Sequence, residues 1–322
     1  GREEQLLARR TLAQLVADAE VRGDRRLIFD IQAISRRLGE RDAERYLFSC
    51  AREPEAMSYF ADPEVVEPAL RSRVGLPEGS VEELLAARCH DDSFDCALLH
   101  AIAEAYRGWG TKTAGPVVED IEAWLTASPQ DRCRGLEQLA QIVFTQKGER
   151  RKVPAGLLKG APDAQQHCDE LADTVAELLS LQRRAELVAV QAAGLRAGAA
   201  FAAAYAQAKR TAGVADFDDL IRWTRELLAT PGMGEWVRYK LDRRTDHLLV
   251  DEAQDTNADQ WTIIEALTDE YFAGEGAGRH HRTLFMVGDF KQAIYGFQGT
   301  DPREFEEARR RIRDKADALH AA

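Results

Sequence analysis

Two adjacent carboxylates, Asp251 and Glu252, follow an apolar run in the stretch LLVDEAQDT (Leu248–Thr256). A strand that delivers acids to its carboxyl end places them at the edge of an open parallel sheet, where ligands bind. Phosphoryl transfer from ATP needs a carboxylate to hold a metal beside the phosphates and a base to orient the attacking water. Asp251 suits the first role, acting on Mg2+ through its water shell. Glu252, displaced one side chain further, suits the second. Two acids after a strand could equally cap it and begin a turn; the Ala-Gln-Asp-Thr that follows, together with a second stretch, tips the reading toward chemistry. That stretch is LFMVGDFKQAIYGFQGTDP (Leu284–Pro302). Gly288 allows close backbone approach at a strand end, and the Gln292 amide could sense a γ-phosphate. Tyr295 and Phe297 alternate on an extended segment, so both rings could face one side and stack on bases, with Gln298 beside them.

Other candidates carry less. KGERRKVP (Lys147–Pro154) is a basic loop with four cations in six residues, either tracking phosphates or solvated. Asp216, Asp218 and Asp219 resemble a nuclease metal cluster, but a helix cap explains them more simply. Cys89, His90, Cys96 and His100 match no usual zinc spacing. His280 and His281 sit in a Gly/Arg-rich loop and are expected to face solvent.

The elements that must position these residues fall into two regions. Residues 1–212 read as short helices broken at Gly23, Gly39, Pro54, Pro63, Pro68 and Gly75–Gly79, with a turn at Gly108–Pro116. A long helix from about Asp163 to Ala212 returns the chain, and Gly194 and Gly198 are expected to bend it. Residues 213–322 change character. DFDDLIRWTRELL starts a helix capped by Asp216, with Asp219 in its first turn. A strand at His247–Val250, a helix at about Ala258–Phe272 and a strand at Thr283–Val287 then form a parallel crossover unit, whose strands are expected to be buried on both faces. The fold class is α/β, a parallel sheet combined with a large all-α region.

The net charge of −12 argues against a simple basic nucleic-acid binder, while leaving room for a local basic or aromatic track. No run of 18–20 apolar residues is evident, the nearest being Ala197–Ala206, so no membrane contact is expected. Five scattered cysteines without a CxxC pair fit a reducing cytoplasm.

DEAQDT (Asp251–Thr256) and GDFKQAIYGFQGTDP (Gly288–Pro302) resemble motifs II and III of the superfamily 1 helicases related to UvrD, Rep and PcrA, and DFDDL (Asp216–Leu220) resembles the segment preceding motif II. Within that family the wording is most similar to the A subunits of AddAB-type helicase–nucleases. It departs from the common pattern at Phe290, Ala293 and Thr300. The resemblance is specific over Asp216–Arg310. It implies a partial RecA-like P-loop motor domain, with residues 213–322 as the C-terminal part of its first ATPase domain and residues 1–212 as a 1B-like insertion. It further implies ATP and Mg2+ as cofactors, Asp251 on the metal, Glu252 on water, Gln254, Asp289 and Gln292 facing the nucleotide, and the two glutamines coupling its state to DNA grip. Tyr295 and Phe297 would contact single-stranded DNA. The implied partners are single- and double-stranded DNA and a second, AddB-like subunit, in double-strand break repair. No Gly-Lys dipeptide occurs, so the phosphate loop G-x-x-x-x-G-K-[ST] is not among these residues, and the 322 residues alone are expected not to hydrolyse ATP. Two rival readings stand beside this one: a metal-dependent nuclease built on the Asp-rich segments, and a helical binding module for DNA or a partner, with vestigial motor motifs.

Overall fold

The computed structural model describes residues 2–272, 282–292 and 301–321. The chain divides into two compact units, Gly1–Ala208 and Lys209–Ala322.

The first unit is helical. Helices α1 (Arg2–Arg22), α2 (Arg25–Leu38) and α3 (Glu40–Cys50) open it, and α4 (Pro54–Ser58) and α5 (Pro63–Arg73) follow. Next come α6 (Val81–Arg88), α7 (Cys96–Trp109), α8 (Ala114–Thr126), α9 (Pro129–Arg134), α10 (Leu136–Val143) and α11 (Ala155–Leu158). Their starts are set by local chemistry: Asp24, Ser80, Asp95 and Ser128 each accept a hydrogen bond from a first-turn amide. α12 (Ala164–Ala212), 49 residues long, contributes to each of the hydrophobic clusters that these helices form. Its first half buries Leu171, Val175 and Leu178 against the α6–α10 core, and its alanine-rich second half buries Ala197, Phe201 and Tyr205 against α1–α3.

α12 adds to the sequence reading at two glycines and departs from it at one point. It is one continuous helix through Gly194 and Gly198, where the missing side chains admit close neighbours. A Cβ on Gly198 would lie 2.7 Å from Cys50 Sγ and 2.8 Å from Met57 Cε. Also, a membrane-length apolar window does exist in α12 by length and composition, among the described residues. The apolar residues named above explain it, since they form the core of the unit.

Two polar anchors join helices in this unit. Arg132, buried, donates to the Cys89 carbonyl (3.0 Å), the Trp124 carbonyl (3.1 Å), the Leu125 carbonyl and Asp91 Oδ1 (2.6 Å), so one guanidinium satisfies the terminal carbonyls of two helices. Arg196 on α12 forms a two-point pair with buried Asp30 on α2, at 2.8 and 2.6 Å. In the basic loop, Arg150 is paired with Asp173 and Arg151 donates to the Phe144 carbonyl at 2.8 Å.

The second unit carries the sheet. Helices α13 (Phe217–Ala229) and α14 (Met233–Asp242) lead into strand β1 (His247–Val250); a 3-10 turn, Ala253–Asp255, and helix α15 (Ala258–Phe272) follow. Strand β2 (Thr283–Met286) lies parallel to β1 in the register His247↔Thr283 to Val250↔Met286. A 3-10 turn, Phe290–Gln292, and α16 (Pro302–Ala321) complete the unit. The strand–helix–strand crossover read from the sequence is therefore present. Burial on both faces is not. Val250, Leu284 and Met286 pack against Trp261 and Ile264 of α15 and Phe305, Ala308 and Ile312 of α16. On the opposite face Leu249 and Phe285 are 71% and 60% exposed. The reason is that α15 and α16 cover one face, whereas α13 and α14 pack on α15.

Candidate functional site

The site forms where β1 and β2 end side by side. Backbone pairing runs past the strands: Val287 N donates to the Val250 carbonyl and Ala253 N to the Val287 carbonyl, both at 2.9 Å. Between these bonds the chain must turn sharply, and it does so at Glu252, with φ 49° and ψ 44°, the one non-glycine at positive φ among the described residues. That left-handed conformation costs about 1–2 kcal/mol for an L-residue. It is held because the turn it opens drives Ala253 into the core and buries Gln254. The same turn leaves the Asp251 and Glu252 side chains exposed at the strand end, with Glu252 N donating to Asp251 Oδ1 at 3.0 Å.

Buried Gln254 joins the two sequence motifs. Its Nε2 donates to Glu252 Oε2 at 2.6 Å, and its Oε1 accepts from Asp289 N at 2.9 Å. The tie requires Gly288: a Cβ there would fall 2.8 Å from Gln254 Oε1. Asp289 then accepts from Lys291 N (2.9 Å) and from Gln292 Nε2 (3.0 Å). Those bonds, that from Gln292 foremost, hold the Asp289 carboxyl below its ordinary range. Glu252, Gln254, Asp289 and Gln292 thus form one continuous hydrogen-bonded relay. Tyr295, Phe297 and Gln298 lie outside the described residues, as do His280 and His281.

An open groove of about 380 Å³ runs beside the acids, lined by Asp251, Glu252, Asp255, Thr256 and Gln260 with Ile263 and Ile264. Asp255 and Thr256 are lining residues that the sequence reading does not single out. Asn257 and Gln260 exchange hydrogen bonds at 2.9 and 3.0 Å to start α15, an Asn-x-x-Gln pattern legible as a reciprocal cap. No group of three or more His, Cys, Asp or Glu side chains is placed to hold a metal among the described residues. This donor set fits Mg2+, which takes one or two carboxylates and completes its shell with water and substrate phosphates.

The weaker candidates resolve differently. Asp216 and Asp219 form a capping box, with Asp219 N on Asp216 Oδ1 at 2.8 Å and Asp216 N on Asp219 Oδ2 at 3.2 Å. Lys209 pairs with both acids (2.7 and 2.6 Å), and Arg222 with Asp219 (2.6 Å). Burial alone would raise the Asp219 carboxyl, but the hydrogen bonds from Lys209, the Asp216 amide and Arg222 hold it below its usual value. These acids are committed to structure. Burial pushes the Cys89 thiol up to about 12, and Cys89, His90, Cys96 and His100 are not placed together to hold a metal.

The second unit is thus an α/β arrangement in which paired acids at one strand end are tied through a glutamine to the end of the next strand. Residues 92–313 match the family described as the UvrD/REP helicase N-terminal domain, and the chain belongs to that family. Among curated relatives it is similar to the A subunit of the ATP-dependent helicase/nuclease of Alkaliphilus metalliredigens, 37% identical over 107 residues, 33% of this chain and 8% of the relative. The protein of the same name from Pelotomaculum thermopropionicum is 39% identical over 109 residues, with the same coverage. That of Geobacillus thermodenitrificans is 36% identical over 124 residues, 37% of this chain and 9% of the relative. The matched part of the chain spans less than a tenth of these relatives. The resemblance read from the two motifs is borne out at the level of the family and of these relatives.

Proposed function

We propose that these residues carry the metal-positioning and water-activating part of an ATP-driven DNA motor, acting in double-strand break repair and coupling Mg-ATP hydrolysis to movement on single-stranded DNA. The observation that carries this reading is the relay from Glu252 through Gln254 to Asp289 and Gln292. A general base must be held in a fixed direction, and a motor must pass the loss of a phosphate onward. Gln254 serves both needs by fixing one Glu252 carboxylate oxygen and gripping the strand end that leads to Tyr295 and Phe297. Bound Mg2+ would neutralise charge on the β- and γ-phosphates, and Asp251 would hold it through its water shell. Glu252 would accept the proton of the attacking water. Residues 213–322 would be the C-terminal part of a first RecA-like domain, and residues 1–212 its 1B-like insertion. The phosphate loop and a second, AddB-like protein would complete the machine.

The test is Mg2+-dependent, single-stranded-DNA-stimulated ATP hydrolysis by the full gene product and by its Asp251→Asn variant. The reading expects the variant to need far more Mg2+ for any turnover. An unchanged Mg2+ dependence would remove Asp251 from the site. DNA cleavage without ATP would favour a nuclease instead.

A further inference from the structure

Helix α14 has two opposite faces. Inward, Gly234 and Asp242 are buried and Arg238 donates to the Leu228 carbonyl. Asp242 is neutralised by Arg282, with Nη2 on Oδ2 at 2.8 Å. Outward, Trp236, Tyr239, Lys240 and Arg243 stand at i, i+3, i+4 and i+7, the spacing of a single helical stripe. Trp236 is 57% exposed and Tyr239 49%. Lys240 Nζ lies 5.5 Å from the Trp236 ring centre, and Arg243 Cζ lies 6.0 Å from that of Tyr239. Arg244 follows directly. The only other acid on the helix is Glu235. In a chain of net charge −12 this is a local reversal of sign, coupled to two exposed aromatic rings.

We propose that this stripe is a binding face for single-stranded DNA. Exposed rings stack on bases without regard to sequence, and a cation beside each ring meets the phosphate that accompanies the stacked base. Charge decides the occupant: a polyanion with accessible base faces satisfies both halves of the stripe, whereas duplex DNA offers phosphates and hides its bases. None of the four residues belongs to the carboxylate edge or to the Tyr295–Phe297 segment. The face is therefore a second contact, independent of the motor reading.

Fluorescence anisotropy of a labelled oligothymidine with this chain, over a range of salt, tests the proposal. Lys240→Gln with Arg243→Gln should lower the slope of log affinity against log salt by about 1.4, two contacts at about 0.7 each for a single strand. Trp236→Ala with Tyr239→Ala should weaken binding between about fivefold and a hundredfold per lost stack, with the slope unchanged. Tyr239→Phe should keep the affinity, and duplex should compete poorly. The Tyr295→Ala/Phe297→Ala variant separates the two readings. If binding depends on that pair and ignores all four α14 substitutions, this inference fails while the motor reading stands. Dependence on α14 alone upholds it and removes the DNA role of Tyr295 and Phe297. If the chain self-associates and Trp236→Ala/Tyr239→Ala only dissolves the oligomer, the face takes protein and the inference is overturned.

Discussion

Gly288→Ala is the smallest change that should dismantle the glutamine relay. Gly288 is not at positive φ, so the constraint is space. The added Cβ would stand 2.8 Å from Gln254 Oε1, and 3.2 Å from both Ala253 Cβ and Gln254 N. The side-chain amide is the part able to move. Swinging it away forfeits the 2.9 Å bond from Asp289 N and the 2.6 Å bond to Glu252. Overpacking of this kind costs about 1–3 kcal/mol, and Gln254→Ala, which loses the bond to a charged partner, about 1.5–3 kcal/mol. The two losses share one cause, so the double variant should cost about 1–2 kcal/mol less than their sum. Urea unfolding of the four chains gives the cycle. Hydrogen exchange at the Asp289 amide gives a local readout, and each single variant should lose protection there. Additivity within about 0.5 kcal/mol, or full protection of that amide in Gly288→Ala, would refute the argument.

Two further perturbations follow from the anchors. Asp219→Asn removes the carboxylate that faces buried Lys209 as well as Arg222, so it should destabilise the second unit by about 3–5 kcal/mol in urea unfolding. The Asp219 carboxyl is depressed in the folded protein, so its contribution is full above the ordinary carboxylate value and fades as pH falls through the folded one. The wild-type advantage over Asp219→Asn should shrink in that acidic window, and a constant difference would contradict the pairing. Gly198→Ala should destabilise by about 1–3 kcal/mol although alanine favours helix by about 1 kcal/mol. Cys50→Ala should recover part of the loss, because Cys50 Sγ is the nearest atom; thermal unfolding decides it.

Much of the second unit was legible because its signals are local. His247–Val250 and Ala258–Phe272 were bounded by composition changes, and Asp216 and Asp219 carry a capping pattern that the structure forms. What escaped the sequence depends on packing. Whether both faces of a strand are covered is decided by which helices reach it, and alternation alone did not separate Leu249 from Val250. That Gly194 and Gly198 admit close neighbours was also hidden, because a missing Cβ looks the same whether it frees a backbone or makes room for a side chain. The left-handed turn at Glu252 had no residue-type signal at all, since glutamate is not a residue that favours it. A close approach at Gly288 could be read from its residue type, but that the side chain approaching it is Gln254 emerges only from the contact between two segments over thirty residues apart.

The central claim is that Glu252 activates water while taking little part in holding nucleotide. The measurement is ATP binding and single-stranded-DNA-stimulated ATP hydrolysis by the full gene product, with and without Glu252→Gln. The account predicts turnover lower by about 10²–10⁴-fold, the range for loss of a general base, with nucleotide affinity retained. Turnover unchanged in the variant, or lost together with nucleotide affinity, would contradict it.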